Sequence, residues 1–223
     1  MAKQDLNAKL AEAIEETRKG NKKSLEISGD GALDLAPLAR LLGLEDLYID
    51  CGDVSDYRPL ASLTNLRSLV LRSDRQSDLE PLASLAKLEK LSVTDGAVSD
   101  LRPLSGLRSL RDLAFYWCGR LSDLGPLGKL SQLESLTLYE CDQVTDLRPL
   151  AQCTRLKRIN LTDCFEIEDV TPLSGLANLR LLVLANTKVT DTSSLKKLPN
   201  LKITFEEDEA EDLDEEVASD AEE

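Results

Sequence analysis

Apolar residues recur along this chain with a fixed beat. The run Leu44-x-x-Leu47-x-Ile49 returns as Leu66-x-x-Leu69-x-Leu71, Leu88-x-x-Leu91-x-Val93 and Leu110-x-x-Leu113-x-Phe115. It continues as Leu133-x-x-Leu136-x-Leu138, Leu156-x-x-Ile159-x-Leu161 and Leu179-x-x-Leu182-x-Leu184. The alternation closing each run predicts a short strand with one buried face. Leu25-x-Ile27 stands twelve residues before Pro37, as Leu47 does before Pro59, and is the first rung. Pro-Leu pairs follow the strands at 37, 59, 81, 103, 126, 149 and 172, spaced 22, 22, 22, 23, 23 and 23 residues apart. Ser194-Leu195 takes the same slot in an eighth unit. Three residues before each slot stands an aspartate: Asp34, Asp56, Asp78, Asp100, Asp123, Asp146, Asp169 and Asp191. An aspartate there accepts backbone N–H bonds in a tight turn, and proline suits the first position of a short helical turn. Later leucines such as Leu60 and Leu63 return to the core. One rung cannot bury its apolar face alone, so the rungs must stack into a curved α/β solenoid. Parallel strands line its concave face, and short helical or 3-10 turns form the convex side.

The two open ends need covers. Leu6, Leu10 and Ile14 repeat at i, i+4 and i+8 in a helix over residues 5–19 that Gly20 ends, making residues 1–24 an N-terminal cap. Residues 25–205 form the solenoid, where Ile203 and Phe205 are expected to close the core. Residues 206–223 have the composition of a disordered acidic tail.

A period in the twenties with this L-x-x-L-x-L core resembles the leucine-rich repeat. The segment Val144-Thr145-Asp146-Leu147-Arg148-Pro149-Leu150 is similar to the 22-residue repeats of bacterial internalins and of the intracellular phosphatase-regulator type. The resemblance covers roughly residues 25–205. It implies a horseshoe that recognises a protein through its concave face, and the partner does not transfer with it. Two departures stand out. Internalins are exported, whereas this sequence shows neither a signal peptide nor a wall-anchor motif. The family's ladder asparagine is replaced by Gly52, Asp74, Gly96, Cys118, Cys141, Cys164 and Thr187.

Composition narrows the function. Aromatic residues make up 4% of the chain, so the core is aliphatic. There is no histidine, which removes the commonest acid–base side chain and metal ligand. No enzyme class or cofactor is expected. The net charge of −14 is concentrated at the C-terminus: residues 206–223 hold twelve acidic side chains and no basic one, leaving the body near −2. Such a body has no basic surplus for nucleic acid, and no stretch approaches a membrane span. Five cysteines, an odd number without zinc-module spacing, suit a reducing, cytoplasmic home. The chain is expected to be a monomer.

The aligned aspartates are read as turn caps, with catalysis the competing reading. Cys118, Cys141 and Cys164 lie one rung apart. They are read as buried thiols bonded to loop carbonyls, against a disulfide or a soft metal, while Cys51 and Cys153 fall off that register. The outward strand positions are less uniform. Tyr116, Trp117 and Tyr139 gather on adjacent rungs, with Asp95, Asp112, Glu140 and Asp163 expected around them; Tyr48, Asp50 and Arg72 occupy earlier rungs of the same face. Exposed aromatics beside charges make up an interface hot spot, and the acids favour a basic partner patch. The competing reading is that the rings cover the ladder edge. Tyr57 and Phe165 are assigned to the convex loops. The sequence therefore predicts a non-catalytic protein-binding module: an adaptor, a regulatory subunit, or an inhibitor or immunity protein. The alternative is an acidic-tailed chaperone of basic proteins such as histones.

Overall fold

The computed structural model describes residues 5–73, 78–94 and 96–206. Its first element, α1, spans Leu6–Lys19. Asp5 caps it by accepting the Asn7 N–H at 3.0 Å. The helix ends in Asn21, not Gly20, as its left-handed residue (φ 48°). Lys22 N–H then reaches Thr17 O at 2.9 Å and Asn21 N–H reaches Arg18 O, closing a Schellman turn. Leu6, Leu10 and Ile14 are buried against the first rung. Gly29 is needed there, because a Cβ on it would stand 2.7 Å from Leu6 Cδ1.

The strands run β1 (Ser24–Ser28), β2 (Ala32–Leu33), β3 (Asp46–Asp50), β4 (Asp53–Val54), β5 (Ser68–Arg72), β6 (Lys90–Thr94), β7 (Asp112–Tyr116), β8 (Ser135–Tyr139), β9 (Arg158–Asn160), β10 (Leu181–Val183) and β11 (Lys202–Thr204). Nine form one parallel sheet in the order β1-β3-β5-β6-β7-β8-β9-β10-β11, while β2 and β4 pair separately. Register follows the repeat: Leu47 lies opposite Leu25 and Leu69, and Leu113 opposite Leu91 and Leu136. The core-facing members of each strand are buried with the leucines of the convex turns in one continuous cluster.

Each Pro-Leu slot forms a 3-10 helix, such as Arg148–Gln152, and Ser193–Leu195 forms the last. In seven of these turns proline stands second, as Pro37 does in Ala36–Arg40, after a leading residue whose N–H bonds to the aspartate. All eight aspartates accept the backbone N–H two residues on, at 2.7–2.9 Å. Arg58, Arg102 and Arg148 also clamp Asp56, Asp100 and Asp146 through their guanidinium groups. The carboxylates are thus occupied as turn caps.

Two expectations change. Tyr57 is buried, because it occupies the leucine position before its 3-10 turn, as Leu35 and Leu79 do in theirs. Phe165 is exposed, as expected. At the C-terminal end Leu195 is buried, with Leu198, Leu201 and Ile203 packed on the core, whereas Phe205 is exposed. Phe205 falls beyond Thr204, the last residue of β11. Apart from Glu206, the acidic tail lies outside the described residues.

Candidate functional site

The concave face is built in rows, since residues at matching ladder positions stand side by side about 4.8 Å apart. One row runs Asp50, Arg72, Thr94, Tyr116, Tyr139 across β3, β5, β6, β7 and β8. Tyr116 and Tyr139 are therefore direct neighbours, their ring centroids 6.2 Å apart.

The next position separates the earliest rungs from the later ones. In the three 23-residue units an extra residue follows the strand in the left-handed region, Trp117 (φ 56°), Glu140 (φ 50°) and Asp163 (φ 59°), and Asn186 (φ 55°) takes the same conformation in the 22-residue unit after them. The ladder still uses their amides. Trp117 N–H donates to Tyr139 O at 2.9 Å, Glu140 N–H to Thr162 O and Asp163 N–H to Ala185 O. Their side chains are thrown onto the outer face and bond pairwise. Trp117 Nε1 donates to Glu140 Oε1 at 2.9 Å, and Asn186 Nδ2 to Asp163 Oδ1 at 2.7 Å.

After this outward residue the chain turns back and buries a cysteine. Cys118 Sγ lies 3.6 Å from Tyr116 O, Cys141 Sγ 3.7 Å from Phe115 O and Cys164 Sγ 3.2 Å from Leu138 O. Burial pushes the Cys164 thiol up to about 12 and raises Cys141 as well. Cys51 does the same work. In its 22-residue unit the extra residue is missing, so Cys51 itself turns inward toward Ile27 O, the equivalent of Phe115 O one rung before Cys141. The apparent register difference is the one-residue insertion. Cys153 instead fills a leucine position of the turn core, and its thiol, pushed up to about 11 by burial, points at Leu127 O. Ser73 turns inward too and is buried, on the face that alternation from Leu69 and Leu71 gives it.

The structure brings together Tyr116, Trp117, Tyr139 and Glu140. The indole meets Tyr139 edge-on at 5.8 Å and Tyr116 at 6.2 Å. Trp117 remains 45% exposed, so the stacked rings cover one another only in part. Asp163 stands one rung beyond Glu140 in the same left-handed row, bonded to Asn186. Asp112 is not beside the rings. It starts β7, about 13 Å along the strand from Tyr116, and faces Lys90 Nζ at 3.8 Å. Strand alternation shows which face a residue takes but not how far along it lies. Asp95 lies outside the described residues. Tyr48, Asp50 and Arg72 form a separate polar group: Tyr48 OH donates to Asp50 Oδ2 at 3.2 Å, and Arg72 reaches both.

One feature escaped the strand pattern. At the entrance to the strands, Lys23, Glu45, Arg67, Glu89, Arg111, Glu134 and Lys157 alternate in sign from rung to rung. Lys23 bonds Glu45 at 2.6 Å, Arg67 bonds Glu89, and Glu134 bridges Arg111 at 2.5 Å and Lys157 at 2.9 Å. The neighbouring lysine holds the carboxyl below its ordinary range in both Glu45 and Glu134. Reading every column of the repeat for charge, instead of only the apolar ones, finds this ladder.

A parallel ladder with one strand, one aspartate-capped 3-10 turn and one buried leucine set per rung defines a leucine-rich-repeat protein, with repeats of the internalin type. Such solenoids serve as protein-interaction scaffolds. A two-copy leucine-rich-repeat family model matches residues 131–175. No curated protein sequence matches the chain. Among solved structures, an internalin (InlF) of Listeria monocytogenes is similar at 25% identity over 89% of this chain and 74% of its own, with a TM-score of 0.65. Internalin C2 of the same species gives 24% identity, 91% and 92% coverage and a TM-score of 0.75. The InlJ domain, described as including a cysteine ladder, gives 20% identity over 83% of this chain and 39% of its own, with a TM-score of 0.60.

Proposed function

We propose that this chain is a non-catalytic, cytoplasmic binding module, monomeric on its own, that grips one partner protein through Tyr116, Trp117, Tyr139 and Glu140. One observation carries the reading: Trp117 sits in a left-handed backbone conformation with its indole nearly half exposed. A bulky residue is disfavoured there, and asparagine or aspartate, as at 186 and 163, would serve the turn better. A tryptophan kept against that cost points to use of the ring itself. Three clustered aromatic rings offer a large rigid area with little entropy to lose on binding. Glu140, with Asp163 a rung away, favours a lysine or arginine laid against the rings. Adaptor, regulatory subunit and inhibitor all fit such a module. The buried thiols, each near a carbonyl, suit a reducing compartment.

The test is affinity capture from the source cells with wild type beside a Tyr116→Ala, Trp117→Ala, Tyr139→Ala variant, after circular dichroism shows equal folding. Trp117, the only tryptophan, then reports binding directly. The expected result is one protein enriched by wild type and lost by the variant, whose titration shifts the indole emission. Equal capture by both chains would remove the patch from the interface.

A further inference from the structure

The first rung departs from the repeat in ways the scaffold does not require. Arg40 ends the first 3-10 turn, where the next two rungs carry Ser62 and Ser84. Leu42 follows, 58% exposed, in a column that later rungs fill with small or polar residues such as Thr64, Ala86 and Ser131. Gly43 stands where the next rung has Asn65, whose side chain donates to Leu42 O at 2.7 Å. A Cβ on Gly43 would meet nothing within 4 Å, so packing does not demand a glycine there, and its effect is to leave space open. That space is part of a cleft of about 240 Å³ between the end of α1 and the first turn. Arg18, Lys22 and Arg40 line it with no acidic residue beside them, although the whole chain carries a net charge of −14. These cations are loosely held. Arg18 stands 3.5 Å from Glu15 and Lys22 3.9 Å from Glu16, while the Arg40 side chain has no hydrogen bond or ion pair among the described residues. The end of α1 does not consume them either, since the N–H groups of Gly20, Asn21 and Lys22 already bond to Glu16, Arg18 and Thr17 carbonyls. A second hollow, of about 440 Å³, shares Arg18 and Arg40 but adds Glu15 and Asp34, so the smaller one is the seat for an anion.

We propose that this cleft is a second binding site, which takes an acidic peptide segment of a partner protein. A carboxylate sits between Arg18 and Arg40, and an apolar side chain next to it in the peptide rests on Leu42. Charge complementarity carries the choice of ligand: three cations and no acid face the space. The guanidinium fork matches a carboxylate in shape as well as charge, and arginine clusters recur as seats for acidic motifs. The exposed leucine supplies an apolar contact that a free anion would not use. The site belongs to the first rung, four strand steps along the sheet from β7, so it is separate from the aromatic patch around Trp117.

The test uses the full chain and the fluorescence anisotropy, at low salt, of a labelled peptide in which glutamate alternates with leucine. The same peptide with glutamine in place of glutamate is run beside it. Arg40→Ser with Leu42→Thr installs the residues that the next rung carries as Ser62 and Thr64, so the solenoid keeps its fold, which circular dichroism checks. The expected result is saturable binding of the glutamate peptide by wild type, at least about tenfold weaker binding by this variant, and none of the glutamine peptide. The Tyr116→Ala, Trp117→Ala, Tyr139→Ala variant should bind the glutamate peptide as wild type does, so failure of the aromatic-patch reading leaves this test intact. No saturable binding by wild type, or equal affinity in the Arg40→Ser, Leu42→Thr variant, would overturn the proposal. A phosphoserine peptide of the same length that binds at least about tenfold tighter would assign the cleft to phosphate and also overturn it.

Discussion

Trp117 holds its backbone where a side chain costs roughly 1–2 kcal/mol, while its ring packs on two tyrosines and bonds Glu140. Trp117→Gly separates the two. It relieves the backbone cost and deletes the ring, so the melting temperature should move by no more than about 4 °C, while partner affinity falls at least about tenfold. Thermal melts and a binding titration check both; a much larger thermal loss would make the indole a structural cover. The thiols give a second prediction. All five cysteines are buried, so at pH 8 a disulfide-exchange reagent should find essentially no reactive thiol until denaturant is added. The aromatic neighbours were legible because the repeat places Tyr116 beside Tyr139 by counting alone. The inward turn of Cys51 was not, since one inserted residue in the later units shifts the count while the space it fills stays the same.

Turns and strands are held by different charges. The arginine beside Asp146 lowers its carboxyl to about 2, and Arg58 and Arg102 lower Asp56 and Asp100. Unfolded aspartate titrates near 3.9. Depressed carboxylates contribute stability that is complete above the unfolded value and is lost as pH falls through the folded one. The chain should therefore lose urea resistance progressively between about pH 4 and pH 2; an unchanged midpoint across that window would show that the caps contribute nothing. At the strand entrances, Glu134→Lys puts a third cation between Arg111 and Lys157. Its melting temperature should drop relative to Glu134→Gln, and salt should narrow the gap. The turns were readable from aspartate and proline alone. The charge ladder is contact between rungs, visible only when columns are compared.

In the main sheet each strand pairs only with its immediate neighbours, so stability is a sum over adjacent rungs. A cavity in the middle is therefore felt on both sides. Leu138→Ala, fully buried beside Phe115 in the ladder, should cost about 2–5 kcal/mol, read as a lower urea midpoint with an unchanged slope. A changed slope would show that the array unfolds in pieces. At this scale the architecture was open to sequence reading, because eight aligned copies average out local ambiguity. The burial of Leu181, Val183 and Ala185 was not, since it depends on what lies over the sheet and not on the period. The left-handed residue after β7, β8 and β9 has a further meaning for growth of the chain. Units of 23 residues share one backbone path, with an outward side chain that the core does not constrain. A copied stretch such as 113–135 inserted in frame would lengthen the horseshoe by one rung and repeat the Tyr–Trp pair, so the grip can be enlarged by duplication without redesigning a single buried leucine.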